Sequence, residues 1–201
     1  YLKAHAYGSA SAGDFITAIA SAGREPRLVD ALDSYLSQRG LPELALDLSC
    51  TDDGGSLSLV QSRYRPQGAR DTEEARWTVP FCASIYAGDY DTLRCRLLTE
   101  ARGELALRQC PQVLVPNAGG LGYFRWRLPE SGWEPLLARL PRLPPGEALD
   151  VIGNLSATWH AGHLERDAYL RRLESVIPGA PPEAFDLIFA DLEAILAYGL
   201  S

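Results

Sequence analysis

The sequence predicts an α+β chain: an antiparallel β-sandwich of about seven strands, flanked by an N-terminal helix pair and a C-terminal α-helical bundle segment. Three observations point there. Apolar residues recur at helical spacing up to about residue 42, alternate with period two from Glu43 to about Gly132, and return to helical spacing after Trp133. Turn residues punctuate the middle stretch at roughly 10-residue intervals. The composition, 201 residues with 46% hydrophobic and 22% charged, supplies enough apolar material for a core. The divisions that follow are 1–42, 43–132 and 133–201.

Each element has its own signal. Tyr1-Leu2-Lys3 reads as mid-helix and the chain contains no Met, so the sequence reads as a piece of a longer polypeptide. Ser11-Ala-Gly-Asp14 resembles a capping box, and Phe15, Ile16, Ile19 and Ala22 follow at helical spacing until Gly23-Arg-Glu-Pro26. A second helix carries Leu28, Leu32, Tyr35 and Leu36 and stops at Gly40-Leu-Pro42. Leu44, Leu46, Leu48 and Cys50 share one strand face; Leu57, Leu59 and Gln61 share another. Trp77, Val79, Phe81, Ala83 and Ile85 form one face of the next strand. Thr92–Thr99, Glu104–Gln109, Gln112–Pro116 and Tyr123–Leu128 complete the set, with Gly54-Gly55, Gly88-Asp89 and Gly119-Gly120 as turn residues. Beyond them come helices with Trp133, Leu136, Leu137 and Leu140; with Leu149, Ile152, Leu155 and Trp159; and with Tyr169, Leu170, Leu173 and Val176. The last, with Phe185, Ile188, Phe189, Leu192, Ile195 and Leu196, has an apolar face so broad that further helices are expected to cover it.

Composition also excludes classes of function. No apolar run approaches the ~20 residues of a membrane helix, so no membrane span is expected. A net charge of -7, with Lys3 the only lysine, argues against nucleic acid as a partner. The four cysteines, Cys50, Cys82, Cys95 and Cys110, show no metal-ligand spacing. Cys82 and Cys95 are equidistant from the Ala87–Tyr90 turn, but alternation groups Cys82 with Thr78 and Ser84 and Cys95 with Leu93 and Leu97. Those faces agree only through a bulge, so buried free thiols are expected.

The candidate chemical motifs are incomplete. His160-Ala-Gly-His163 with Glu165 nearby is the best metal pair, yet Gly162 between the histidines reads as an inter-helix turn, a solvated loop with a C-terminal cap. Asn117-Ala-Gly-Gly-Leu-Gly122 is followed by an alternating strand, so it is a hairpin turn rather than a phosphate loop. Thr51-Asp-Asp-Gly-Gly55 lacks the oxygens of a calcium loop, and Asp52-Asp53 and Glu73-Glu74 sit in turns. Arg125 and Arg127 are expected to be solvated or paired with Glu130 and Glu104. No catalytic, cofactor-binding or metal-binding residue is assigned.

Several strings nevertheless resemble one family, the zinc-dependent M1 aminopeptidases. Tyr1-Leu-Lys-Ala-His-Ala-Tyr-Gly-Ser-Ala10 with Asp14 is similar to the end of its catalytic domain, and Gln38-Arg-Gly-Leu-Pro42 to its exit into a sandwich. Trp77-Thr-Val-Pro80 and Val113-Leu-Val-Pro-Asn117 through Gly122-Tyr-Phe-Arg-Trp-Arg127 resemble its strands. Trp133 and the helix–Ala161-Gly162–helix pattern resemble the start of its helical domain. The resemblance implies a C-terminal portion: the end of a thermolysin-like catalytic domain, the sandwich, and the start of a helical lid. It implies zinc in the full-length enzyme but none held by this segment, whose sequence has no His-Glu-x-x-His. It implies an upstream catalytic domain of the same chain and a peptide substrate as partners. Where the family often pairs an Arg with an Asp six residues later, Ala148 and Asn154 stand here. The alternative is a metal-free scaffold of the same architecture acting in protein–protein assembly.

Overall fold

A reciprocal cap starts the chain's first helix, α1 (Ala12–Gly23): Asp14 N–H donates to Ser11 Oγ at 3.2 Å, and Ser11 N–H to the Asp14 carboxylate at 2.8 Å. Arg24 ends it in the left-handed region, φ 53°, and α2 (Leu28–Leu36) follows. This computed structural model describes residues 1–70, 73–88 and 90–198. Residues 2–8 form turns rather than the helix expected of Tyr1-Leu2-Lys3; Tyr7, at φ 62°, is incompatible with a continuous right-handed helix. Asp89, half of an expected turn pair, lies outside the described residues.

Seven strands follow among the described residues: β1 (Pro42–Thr51), β2 (Gly54–Arg63), β3 (Val79–Ala87), β4 (Tyr90–Leu98), β5 (Arg102–Leu107), β6 (Val113–Val115) and β7 (Arg125–Arg127). They make two sheets, ordered β5-β2-β1-β7 and β4-β3-β6. Alternation works as expected, because one face of each sheet must leave water. Leu44, Leu46, Leu57 and Leu59 turn inward from the first sheet, and Trp77, Val79, Phe81, Ala83 and Ile85 from the second. Gly54, placed by the sequence in the first turn, instead opens β2. A Cβ there would stand 2.6 Å from the Leu107 carbonyl oxygen, so the close β2–β5 approach requires glycine.

Two expectations about the strands fail. Gln112–Pro116 and Tyr123–Leu128 do not form a hairpin: β6 pairs antiparallel with β3, whereas β7 pairs parallel with β1 in the other sheet. The glycine-rich segment between them crosses the edge of the sandwich, with Ala118–Gly120 as a 3-10 turn. The cysteines are also not free thiols. Cys82 and Cys95 are disulfide-bonded, as are Cys50 and Cys110. Residues directly opposite in an antiparallel register always share a face, and Cys82 pairs with Cys95, so no bulge is needed. Cys110 reaches Cys50 because the β1–β2–β5 ladder brings Leu107 alongside Gly55, itself opposite Cys50.

The C-terminal part contains α3 (Glu130–Arg139), α4 (Pro145–His160), α5 (Arg166–Val176) and α6 (Phe185–Tyr198). No helix among the described residues is long and apolar enough to cross a membrane. Helix α4 is central, with Val151, Ile152 and Leu155 fully buried, although Leu149, expected on its inner face, is exposed. It packs on β7, the 118–120 turn, α5 and α6. Trp126 of β7 stacks on Trp133 of α3 (centroids 5.3 Å apart), and Trp159 of α4 lies flat on Tyr169 of α5 (4.8 Å). One apolar core therefore runs from between the sheets into the helices.

Candidate functional site

Where α4 meets the sheets, its polar residues converge on the edge-crossing segment. Glu147, Asp150, Asn154 and Thr158 lie three to four residues apart, on one side of a helix whose neighbours are apolar. The Asp150 carboxylate accepts from the Trp126 indole N–H (2.7 Å) and from the Asn117 amide (2.8 Å). Asn117 closes its own loop, donating to the Gly122 carbonyl and accepting from the Gly122 N–H. Asn154 Oδ1 accepts the Trp126 backbone N–H at 2.9 Å, and its amide donates to the Asp150 carbonyl. Buried Glu147 accepts from Gly119 N–H (2.8 Å) and the Ser84 hydroxyl (2.9 Å). Gly120 passes so near α4 that a Cβ would lie 2.4 Å from the Gly146 carbonyl oxygen. Asn117–Gly122 is thus a docking loop whose carbonyl, amide and N–H groups are held by protein partners. With Ala148 also buried, the Ala148–Asn154 combination leaves no charge without a counterpart.

The two histidines point to different carboxylates. His160 Nε2 lies 2.8 Å from Asp191 Oδ1 of α6, and the other Asp191 oxygen accepts from the Tyr169 hydroxyl. His163 Nε2 lies 3.7 Å from Glu43 Oε2 of β1. Ala161-Gly162 is a solvent-exposed turn as expected, and the two side chains that flank it also tie α4 to α6 and to the first sheet. Burial, reinforced by the adjacent Asp191, pushes the Tyr169 hydroxyl far above its ordinary value, so it remains a hydrogen-bond donor. The arginines also differ from expectation. Arg127 faces Glu43 at 3.7 Å, and Arg125 lies over the Tyr64 ring and donates to the Gly153 carbonyl. Glu130 instead bonds Arg172, and Glu104 accepts from Ser56.

Glu43 gives this seam a pH dependence. Burial raises its carboxyl above the ordinary 4.5, opposed by the charges of His163 and Arg127. A raised folded-state value means a stability contribution that is full below the ordinary value and lost as pH rises through the raised one. Glu43→Gln removes that contribution. The midpoint of the unmodified chain is expected to fall relative to the variant as pH rises above 4.5. Parallel melting curves by circular dichroism over that window would contradict the assignment.

Among the described residues no group of three or more His, Cys, Asp or Glu side chains could hold a metal ion. The described residues therefore do not fit zinc. Sequence reasoning singles out none of Asp191, Glu43, Glu147 and Asp150, and places Tyr169 only on an apolar helix stripe. Two signals mark some of them: the polar stripe on α4, and Asp191 interrupting the apolar face of α6.

The other prominent feature is a cleft of about 990 Å³ between the helix pair, the outer face of the β4-β3-β6 sheet and the docking loop. Leu36, Leu93, Leu121 and Tyr123 on its walls are 59–89% exposed, with Phe15 beside them at 48%. So much apolar surface gathered around one depression marks an interaction face.

No family profile matches the chain. Among curated proteins, it is 28% identical over 173 residues to the puromycin-sensitive aminopeptidase of Caenorhabditis elegans, covering 82% of this chain and 18% of that protein. It is 21% identical over 177 residues to the tricorn protease-interacting factor F2 of Thermoplasma volcanium, covering 88% of this chain and 20% of that protein. Aminopeptidase M1 of Arabidopsis thaliana is 28% identical over 109 residues, 54% of this chain and 11% of that protein. The chain is similar to aminopeptidases over most of its length, and spans about a fifth or less of the length of these relatives.

Proposed function

We propose that the chain is a non-catalytic C-terminal portion of a zinc-dependent M1-type aminopeptidase, an enzyme that removes N-terminal amino acids from peptides. It acts there as a spacer and as part of the lid that limits access to a catalytic domain preceding it. In this reading residues 1–42 close the catalytic domain, 43–132 form the sandwich and 133–201 begin the helical domain. Zinc and the peptide belong to the catalytic domain.

The observation that carries the reading is the bare apolar cleft. Leu121 at 89% exposure and Leu36 at 65% contribute apolar surface that water disfavours and a partner would cover. The seam around α4 supports a mechanical role, because Asp150, Asn154, Asn117 and Trp126 engage one another and so fasten the helix to the sheet edge. Similarity to aminopeptidases across 82% and 54% of this chain supports the class of enzyme.

The test separates chemistry from docking. Incubated with aminoacyl-p-nitroanilides and added zinc, the chain alone is expected to release no nitroaniline above the buffer rate. Leu93→Asp and Leu121→Asp are expected to leave its own melting unchanged while weakening association with a separately produced catalytic segment. Turnover by the chain alone, or association indifferent to both substitutions, would overturn the proposal.

A further inference from the structure

The Cys82–Cys95 disulfide is placed where it adds little to the topology. Strands β3 and β4 are already joined by a tight hairpin and paired in continuous register from Val79↔Leu98 to Ala87↔Tyr90, and the two cysteines are only 13 residues apart. A short loop of this kind restrains the unfolded chain less than the 60-residue separation of Cys50 and Cys110. The bond also lies outside the core. Phe81 and Ala83, its neighbours in β3, turn inward and are fully buried, so Cys82 and Cys95 occupy the outer face of the sheet.

That face is open to reagents. Cys95 is exposed on the outermost strand and Cys82 is half-buried. Both line a cleft of about 540 Å³, smaller than the apolar one, whose walls include Arg27, Arg96 and Glu25. Arg27 is paired with Glu25 at 2.8 Å, and Arg96, opposite inward-facing Phe81, reaches from the inner face of the sheet to the Glu104 carbonyl of β5, so neither guanidinium is presented to the sulfurs.

We infer that Cys82–Cys95 is a site of reversible thiol–disulfide exchange with small thiols of the glutathione class. The thiolate attacks the accessible Cys95 Sγ, the sulfur–sulfur bond breaks, and Cys82 leaves as a thiolate that takes up a proton. A second thiolate then attacks the small-molecule sulfur of the mixed disulfide, releasing Cys95 and the oxidised dimer of the reagent. Two small thiols are oxidised for each protein disulfide reduced. Because Cys82 also lines the larger apolar cleft, exchange alters the floor of that cleft. The exchange is read on the chain alone, where this face is open, so its outcome is separate from that of the aminopeptidase reading.

The native chain is first alkylated without reductant, then treated with reduced glutathione, alkylated again, digested and mapped by mass spectrometry. Expected are no label on Cys82 or Cys95 before treatment, label or glutathione on both afterwards, and an intact cooperative thermal transition. Uncharged 2-mercaptoethanol is expected to give the same pattern of labelled sites. Free Cys82 and Cys95 in the untreated chain would overturn the inference. So would a bond that resists glutathione, or loss of the fold on its reduction.

Discussion

Trp77→Ala is expected to lower the unfolding free energy by about 3–5 kcal/mol, measured by urea denaturation. Trp77 is 1% exposed and lies just before β3, at the start of the inward row that continues through Val79, Phe81, Ala83 and Ile85. Its backbone is clasped by Gln61: the Trp77 N–H donates to Gln61 Oε1 at 2.5 Å, and the Gln61 amide donates to the Trp77 carbonyl at 3.0 Å. Those bonds involve only backbone atoms of residue 77, so alanine retains them. The loss is that of the indole volume between the sheets, where a packed interior relaxes only partly around a void. At roughly 2–4 °C per kcal/mol for a chain of this size, the melting temperature should fall by about 10 °C. A change within ~0.5 kcal/mol would place the side chain at the surface and undo the sandwich assignment.

Asp150→Ala is expected to cost about 2–4 kcal/mol by a different route, with little change in packed volume. Its carboxylate is the acceptor for both the Trp126 indole N–H and the Asn117 amide. Without it, two donors at the sheet–helix seam lose their partner, at roughly 1–3 kcal/mol each where water cannot replace it. Burial pushes the Asp150 carboxyl up, opposed by hydrogen bonds from Trp126 and Asn117, the charge of Arg125 and a hydrogen bond from Asn154. Charge is therefore tolerated there for the sake of its two acceptor oxygens. Asp150→Asn keeps the shape and one acceptor but points an amide at a second donor, so it should fall between the native chain and Asp150→Ala. A double-mutant cycle with Trp126→Phe should show coupling of at least about 0.5 kcal/mol. Additive losses would mean that Asp150 and Trp126 act independently.

These two residues differ in how visible they were beforehand. Trp77 is legible because a strand's period of two assigns each residue to a face from its neighbours alone; its row is inward, as the alternation requires. The cap at Ser11 and Asp14 is legible for the same local reason, since its partners are three residues apart. Asp150 is not, because its partners come from the edge-crossing loop and from β7. The docking-loop assignment for Asn117–Gly122 needed to know that β6 and β7 enter different sheets, and a glycine-rich stretch between two alternating segments looks the same in a hairpin and in a crossing. Asp191 lay in plain view as a carboxylate on an apolar helix face, yet its partners His160 and Tyr169 are fixed by how α4, α5 and α6 converge.

Local periodicity, caps and turn residues determined the order of helices and strands, the inward faces and the three textures of the chain, because each depends on neighbours a few residues away. Short strings also carried the likeness to aminopeptidases. Sheet membership, the parallel β1–β7 pair, both disulfides and the carboxylates that the two histidines meet were decided only in three dimensions. They depend on register and on the meeting of distant segments, where several arrangements of the same strands satisfy the same alternation and packing selects one.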